Sequence, residues 1–492
     1  MRKVLGLLLL CALMCTTISA GGQRMTMAEA VSAAKDGSVA ALEARQAFIS
    51  TYWAWRAYRA SVLPSLYLYG NIGNFNRSLN LLQSPDDGIM RYVTSYNMQN
   101  GIGIQARQNI SFTGGTLSIY TDINRIDQFG SNSGITWYSQ PVTISYRQPL
   151  FAYNQFKWDK RIEPKEYEKG RRTYVEAMEE ISLNAVSSWF KLLKAYQNEE
   201  AARSNYENML RMRDIASERM KLGTVTRDEY LQIELRALND SIAINEGDIE
   251  VREAQMELNS LLGFNESAEI TPILDENLPD ILVNYEMVID KALANSRFVL
   301  DNEISLLNAR AAVEKARAER GITMEFNARF GLSKSGSTFS EAFRSPLDQE
   351  VVGLTFSVPI FDWGQGRGRI EKARAAEVVA KAQVQQAEND YRRKVFTTVG
   401  QFNNQRHQCM VSRRAATIAS ERYELVMNKF RAGSATVLDL NTAREENDNA
   451  RIQYITALGN FWTYYYTLRQ ISLYDFVSGD DILLDEHELM TR

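Results

Sequence analysis

The chain has 492 residues, 56 basic and 60 acidic side chains, a net charge of −4, and 45% hydrophobic residues. A mildly acidic chain without a basic stripe is not built to hold nucleic acid. Two histidines and three cysteines leave little material for metal, disulfide or acid–base chemistry.

Met1-Arg2-Lys3 precedes an apolar run from Val4 to about Cys15, and Ile18-Ser19-Ala20 then meets the polar Gly21-Gly22-Gln23. This is the layout of a secretory signal peptide cut after Ala20. Cys11 and Cys15 leave with it, and neither follows the small residues of a lipoprotein site, so no lipid anchor is expected. The exported chain keeps Cys409 alone, so packing and assembly rather than an internal disulfide must stabilise it. His407 beside it reads as a helix-surface neighbour, since a metal site needs three or four convergent ligands. Beyond the signal, no run approaches the roughly 18 apolar residues of a spanning helix. A mature chain of this kind crosses a bilayer only with strands closed into a barrel.

Thr26 and Glu29 stand at capping-box spacing, predicting a helix from there to about Leu63, closed by Pro64. A strand follows over Ser65 to about Phe75, and another over Val142 to Phe151. Between them, an insertion over about 76–138 has no counterpart later in the chain. Its segments 102–108 and 117–123 alternate around the tight-turn sequence Phe112-Thr-Gly-Gly115. Two further wall strands and an external hairpin are both compatible with that pattern.

A helix over about Pro164–Leu222 and its return over Thr226–Leu262 come next. Residues 263–284, with Pro272 and Pro279, read as a linker packed against the helical body. The second half starts with a helix from about Tyr285 to Gly321. Met324, Phe326, Ala328, Phe330 and Leu332 then alternate with polar residues, as do Val352, Leu354, Phe356 and Val358. Helices over Gln365–Ala432 and Val437–Leu473 follow, with an acidic, solvated tail at 474–492. A helix of about 60 residues is on the order of 90 Å long, which no compact domain contains. The Ala- and Val-rich stretch from Ala373 to Ala387 is apolar on more than one side, unlike the single seam of a two-stranded coiled coil.

The two halves run one programme at an interval of about 210 residues. Val142-Thr-Ile-Ser-Tyr146-Arg-Gln-Pro149-Leu-Phe151 matches Val352-Gly-Leu-Thr-Phe356-Ser-Val-Pro359-Ile-Phe361, and Leu222-Gly223-Thr224 matches Ala432-Gly433-Ser434. A fixed interval describes an architecture: repeats at 21–262 and 285–473.

Signal peptide, duplication, Pro-x-Phe strand ends at Pro149, Phe151, Pro359 and Phe361, and Gly-turn helical hairpins together resemble the TolC-like outer membrane efflux protein family. The resemblance covers essentially the whole mature chain. It implies a mainly α fold with transmembrane β: a homotrimer in which one outer-membrane β-barrel continues into a long α-helical barrel in the periplasm of a Gram-negative bacterium. Such proteins are passive exit ducts without cofactors, served by an inner-membrane transporter and by a periplasmic adaptor docked on the tunnel tip.

By that resemblance, Leu222-Gly223-Thr224 and Ala432-Gly433-Ser434 are the hairpin tips that receive the adaptor. Asp439, in Val437-Leu-Asp439-Leu440, matches a carboxylate that threefold symmetry makes into a ring at the pore constriction. The chain departs from the best-known pattern in three places: Thr442 replaces a second acid, while Phe430 and Ala435 replace a tyrosine and an arginine that tie the hairpins together. The outer acid is present as Glu229. With Phe430 unable to donate to it, Arg431, Lys429 and Arg227 are the candidate gate partners.

No nucleophile motif or phosphate-cradling loop proposes a reaction. Gly364-Gln-Gly366-Arg-Gly368 follows a strand end and fits a strand-to-helix junction. The expected function is a non-enzymatic efflux channel for small molecules. A type I protein secretion duct is the alternative, and a periplasmic coiled-coil adaptor a further one.

Overall fold

The computed structural model describes residues 23–83, 88–130, 133–486 and 489; the signal-peptide segment lies outside them. In chain order the elements are β1 (Gln23–Thr26), α1 (Met27–Gly37), α2 (Val39–Ser61), β2 (Ser65–Gln83), β3 (Met90–Ile110), β4 (Gly115–Gln128) and β5 (Gly134–Leu150). Next come α3 (Gln155–Lys221), α4 (Arg227–Leu262), β6 (Ile270–Ile273), α5 (Tyr285–Asn295), α6 (Phe298–Arg320) and β7 (Thr323–Gly336). A 3₁₀ turn (Glu341–Phe343), β8 (Leu347–Ser357), α7 (Gln365–Ala432), α8 (Val437–Ser472), β9 (Tyr474–Asp475) and β10 (Asp480–Asp481) complete the chain. Two compact units result, one formed by the segments up to Phe48, 171–296 and from Asp390 onward, the other by 49–170 and 297–389.

The second unit holds a six-stranded antiparallel sheet in the order β2-β3-β4-β5-β7-β8. Successive side chains of a strand point to opposite faces, so register decides what each face is made of. Leu66 pairs with Ala106, Ala106 with Ile119, Ile119 with Ile144 and Ile144 with Phe330. The neighbouring same-face row runs Leu117, Tyr146, Ala328 and Val352. That face is apolar from β2 to β7 and at Val352, Leu354 and Phe356 of β8, with Glu350 and Asp348 carrying acids on the early part of β8; Ile144 is 43% exposed and Leu354 53%. The other face carries Ser145 beside Arg329 and Arg147 beside Asn327. On it Arg147 pairs with Glu325 at 2.6 Å and the Tyr69 hydroxyl donates to Asp122 at 3.2 Å.

The insertion is part of this sheet, since β3 and β4 lie between β2 and β5. Its strands are also longer than the alternation over 102–108 and 117–123 suggests, because polar pairs such as Asn97–Asn76 extend the ladders past the apolar core of each strand.

In the first unit the helices bury Trp189, Leu192, Leu258, Phe402, Leu458 and Phe461 in one core. Buried Glu179 accepts from Lys35 at 2.7 Å and from Arg469 at 2.8 Å, and Arg469 also pairs with Asp475 at 2.8 Å. These bonds satisfy a carboxylate that would otherwise be costly to bury.

Five expectations need correction. The helix read as continuous from Thr26 to Leu63 breaks at Ser38, whose backbone is extended (φ −72°, ψ 150°) and whose hydroxyl accepts from the Ala41 N–H at 3.0 Å. The helix read from Tyr285 to Gly321 breaks likewise at Ser296 (φ −73°, ψ 158°). Ser38 competes for the backbone as a cap, whereas the Ser296 hydroxyl accepts from the Tyr391 hydroxyl at 3.1 Å.

The helix expected from Pro164 starts at Gln155. Asn154 Oδ1 accepts from the Lys157 N–H at 3.2 Å, and Pro164 is accommodated within the helix. The 263–284 linker contains β6, which pairs in parallel with β1 from Gln23–Ile270 to Thr26–Ile273. The tail is not simply solvated either. Asp481 binds Lys291 at 2.8 Å, Glu486 binds Arg171 at 2.7 Å, and Leu489 is buried, because basic groups on the helices attract its acids.

Candidate functional site

The motif residues of the helical unit collect at the two turns that end α3 and α7. A helix end leaves carbonyls without partners, and a left-handed residue lets the following N–H groups turn back to them. Gly223 (φ +73°) and Gly433 (φ +83°) take that conformation. The Thr224 N–H reaches Arg219 O at 3.0 Å, and the Ser434 N–H reaches Lys429 O at 2.9 Å. Leu222, Thr224, Ala432 and Ser434 are all exposed around these glycines, leaving both tips open to solvent.

Each return helix opens with a capping box. Glu229 accepts from the Thr226 N–H at 2.9 Å and hydroxyl at 3.0 Å; Asp439 accepts from the Thr436 N–H at 3.0 Å and hydroxyl at 2.7 Å. The Thr436 backbone and side-chain bonds hold the Asp439 carboxyl below its ordinary value, so it is anionic across the neutral range. Asp439 is fully exposed and one turn from Thr442, which is exposed as well.

The expected gate contacts fall out differently. Glu229 spends its carboxylate on its own cap, and neither Arg431, Lys429 nor Arg227 forms an ion pair with it among the described residues. Phe430 is a core residue, 5% exposed and packed with Met209, Met212, Ile233, Met427 and Leu440. An apolar ring replaces a polar tie by burying itself between hairpins.

Arg219 supplies the polar tie instead. Its guanidinium donates to Phe430 O at 3.1 Å and to Arg431 O at 2.6 Å, placing a cation on the carbonyl end of α7. The sequence signal was a basic residue in the last turn before a glycine, which is common to most helix ends. A second missed group lies farther up the hairpins: Arg444 Nη1 donates to Asp240 at 2.7 Å, with side chains only 3% and 10% exposed. Asn205 donates to nearby Asp448 at 2.9 Å, and burial raises the Asp448 carboxyl above its ordinary value. Among the described residues the buried Arg444 Nε has no hydrogen-bond partner.

The strand-to-helix junctions belong to the sheet unit. Pro149 pairs with Glu325 at the foot of β5, and the exposed Phe151 takes φ +60° as the chain turns toward α3. After Pro359, the ring of Phe361 stacks edge-on against Trp363 at 4.4 Å. Asp362 accepts from the Gly364 N–H at 2.9 Å and the Gly366 N–H at 2.7 Å, so the glycine-rich stretch caps α7. Those bonds to a helix start hold Asp362 below its ordinary value.

The sequence profile of the outer membrane efflux proteins matches residues 288–472, a span holding β7, β8, the Gly433 turn and Asp439. Outer membrane protein TolC of Escherichia coli is 22% identical over 69% of this chain and 72% of its own length. Over that span and by this relative the chain is similar to the TolC-like outer membrane efflux proteins. The cobalt-zinc-cadmium resistance protein CzcC of Cupriavidus metallidurans is also 22% identical, over 57% of this chain and 64% of that protein. Among solved structures, the Campylobacter jejuni CmeC outer membrane channel superposes with a TM-score of 0.65 at 14% identity, covering 94% of this chain and 88% of that one. CusC gives 0.60 at 14%, covering 92% of each, so this TolC-like chain shares their fold at low identity. The insertion over 76–138 lies outside the span that the family profile matches.

Proposed function

We propose that this TolC-like protein is a passive exit duct of the Gram-negative outer membrane, working as a homotrimer. The observation that carries this reading is the exposed apolar face of the sheet. A face that runs from Leu66 to Val352 and stays open to solvent is built for lipid, and the opposite face, with Arg147, Glu325 and Arg329, is built for water. A single sheet of six strands is below the eight of the smallest common membrane barrels, so the wall needs further copies.

On this reading the repeats over 21–262 and 285–473 place two helical hairpins per copy in a periplasmic tunnel. The exposed tips at Gly223 and Gly433 dock a periplasmic adaptor, an inner-membrane transporter supplies the energy, and small molecules are the cargo. Asp439, anionic and exposed just past the Gly433 turn, supplies one carboxylate of a cation-attracting ring. Outer-membrane fractionation followed by gel migration without boiling tests the assembly, and planar-bilayer recording tests the duct. A heat-sensitive trimer with discrete conductance is expected. A monodisperse detergent-solubilised monomer with intact strand content refutes the proposal.

A further inference from the structure

The sheet has two free edges, β2 and β8. Within lipid each unpaired N–H and C=O of an edge costs several kcal/mol, so both edges must be covered. Antiparallel pairing throughout makes β2 and β8 run in opposite directions. The β8 edge of one copy therefore meets the β2 edge of the next with correct antiparallel polarity and with the apolar face continuous across the seam, Leu66 and Leu68 meeting the side of Val352, Leu354 and Phe356.

The insertion strands are held as structural members of this wall. The β3–β4 turn is fastened beside the strand-to-helix junction: Gln148 Nε2 donates to Thr113 O at 2.8 Å, and Asn154 Nδ2 donates to Ser111 O at 3.2 Å and Phe112 O at 3.3 Å. Gln108 Nε2 donates to Val62 O at 2.8 Å, tying β3 to the end of α2. A narrower wall closed through β4 would have to break the β3–β4 ladder, which is continuous from Asn97–Gln128 to Ile110–Gly115.

We infer that three copies close a wall of eighteen strands through β2–β8 seams, with the insertion hairpin contributing a third of the strands. This rests on the trimeric duct reading and deepens it. With strands about 4.8 Å apart and tilted about 40°, such a wall is on the order of 35 Å across between backbones, in the range where barrels hold an open aqueous lumen. The partner for each edge is a second copy of this chain. The lumen is then lined by the Arg147–Glu325 and Tyr69–Asp122 pairs of all three copies.

Disulfide scanning in the full-length protein decides between seams. The one cysteine of the mature chain, Cys409, is buried, and burial pushes its thiol up to about 11, so background crosslinking is low. Leu66→Cys or Leu68→Cys is combined with Asp348→Cys, Glu350→Cys, Val352→Cys, Leu354→Cys or Phe356→Cys. A parallel set replaces the β2 cysteine with Ile119→Cys in β4. Each variant is run unboiled, to establish that it forms a trimer, and boiled after oxidation. Expected is a shift of the boiled band from monomer to covalent dimer and trimer in at least one β2–β8 combination and in none with β4. Trimers crosslinked through β4, or trimers in which no β2–β8 pair forms, overturn the eighteen-strand wall while leaving the duct standing. Wild-type protein that forms no trimer removes the duct reading itself.

Discussion

The Arg444–Asp240 pair sets a measurable tie between the two helical hairpins. Its 2.7 Å bond joins side chains that are 3% and 10% exposed, and the Arg444 Nε already lacks a partner. Asp240→Ala would strand a buried guanidinium, and removal of one member of such a pair costs about 3–5 kcal/mol. At about 1.4 kcal/mol per decade, local opening should become roughly 150-fold to several thousand-fold more frequent. Replacing both with apolar residues, Asp240→Leu with Arg444→Met, should return most of that stability, since a buried pair exchanged for packed hydrophobic groups is often neutral or favourable by about 1–4 kcal/mol. Two-state melting does not suit a long helical protein, so the assay is hydrogen exchange over residues 236–248 and 440–452 in the assembled protein. Single variants that exchange at the parental rate, or a double variant as destabilised as the sum of the singles, refute the tie.

Two further outcomes follow from the faces and from the cap. Leu354→Arg or Phe356→Arg should cost roughly 2–4 kcal/mol at the bilayer midplane and reduce trimer yield, whereas Thr355→Arg on the polar face should alter conductance instead; equal assembly defects at all three positions contradict the register. Asp439→Asn should reduce cation selectivity and block by multivalent cations without changing trimer yield, and Thr442→Asp should strengthen both, read as reversal potential under a salt gradient. A reversal potential that neither substitution moves makes Asp439 a helix cap only. The titration directions are opposed within one hairpin. The lowered Asp439 carboxyl contributes stability present above the ordinary aspartate range and lost as pH falls through its folded value. The raised Asp448 carboxyl favours the folded hairpin at low pH, a contribution lost as pH rises from the ordinary range through its folded value. Asp448→Asn should abolish the second dependence in exchange measurements.

Long periodic elements were readable because pattern and local chemistry agree in them. α7 spans the Gln365–Ala432 expected of it, and the capping box at Thr26 forms as its spacing suggests. What failed to show was whatever depends on a distant partner. β6 is four residues of Ile-Thr-Pro-Ile, and only the presence of β1 makes it a strand. The membership of β3 and β4 in the sheet is set by ladders to β2 and β5, which alternation does not reveal. At the tips, the motif positions were visible, but their bonds were not. Phe430 looked like the loss of a donor, whereas its burial and the reach of Arg219 to two carbonyls of α7 make the hairpin contact in another way.

The β1–β6 pairing bears on how the chain matures after export. Gln23 lies at the start of the described chain, yet its partner Ile270 comes about 250 residues later. Contacts of such sequence separation form late, after the loop between them has been closed at an entropic cost. Until that pairing forms, β1 lacks its partner while the long alternating segments of β2 to β5 are already made. Exposed strands of this kind are what makes a slowly closing chain prone to aggregation, and pairing of β1 with β6 fastens the start of the described chain to the segment between its two halves.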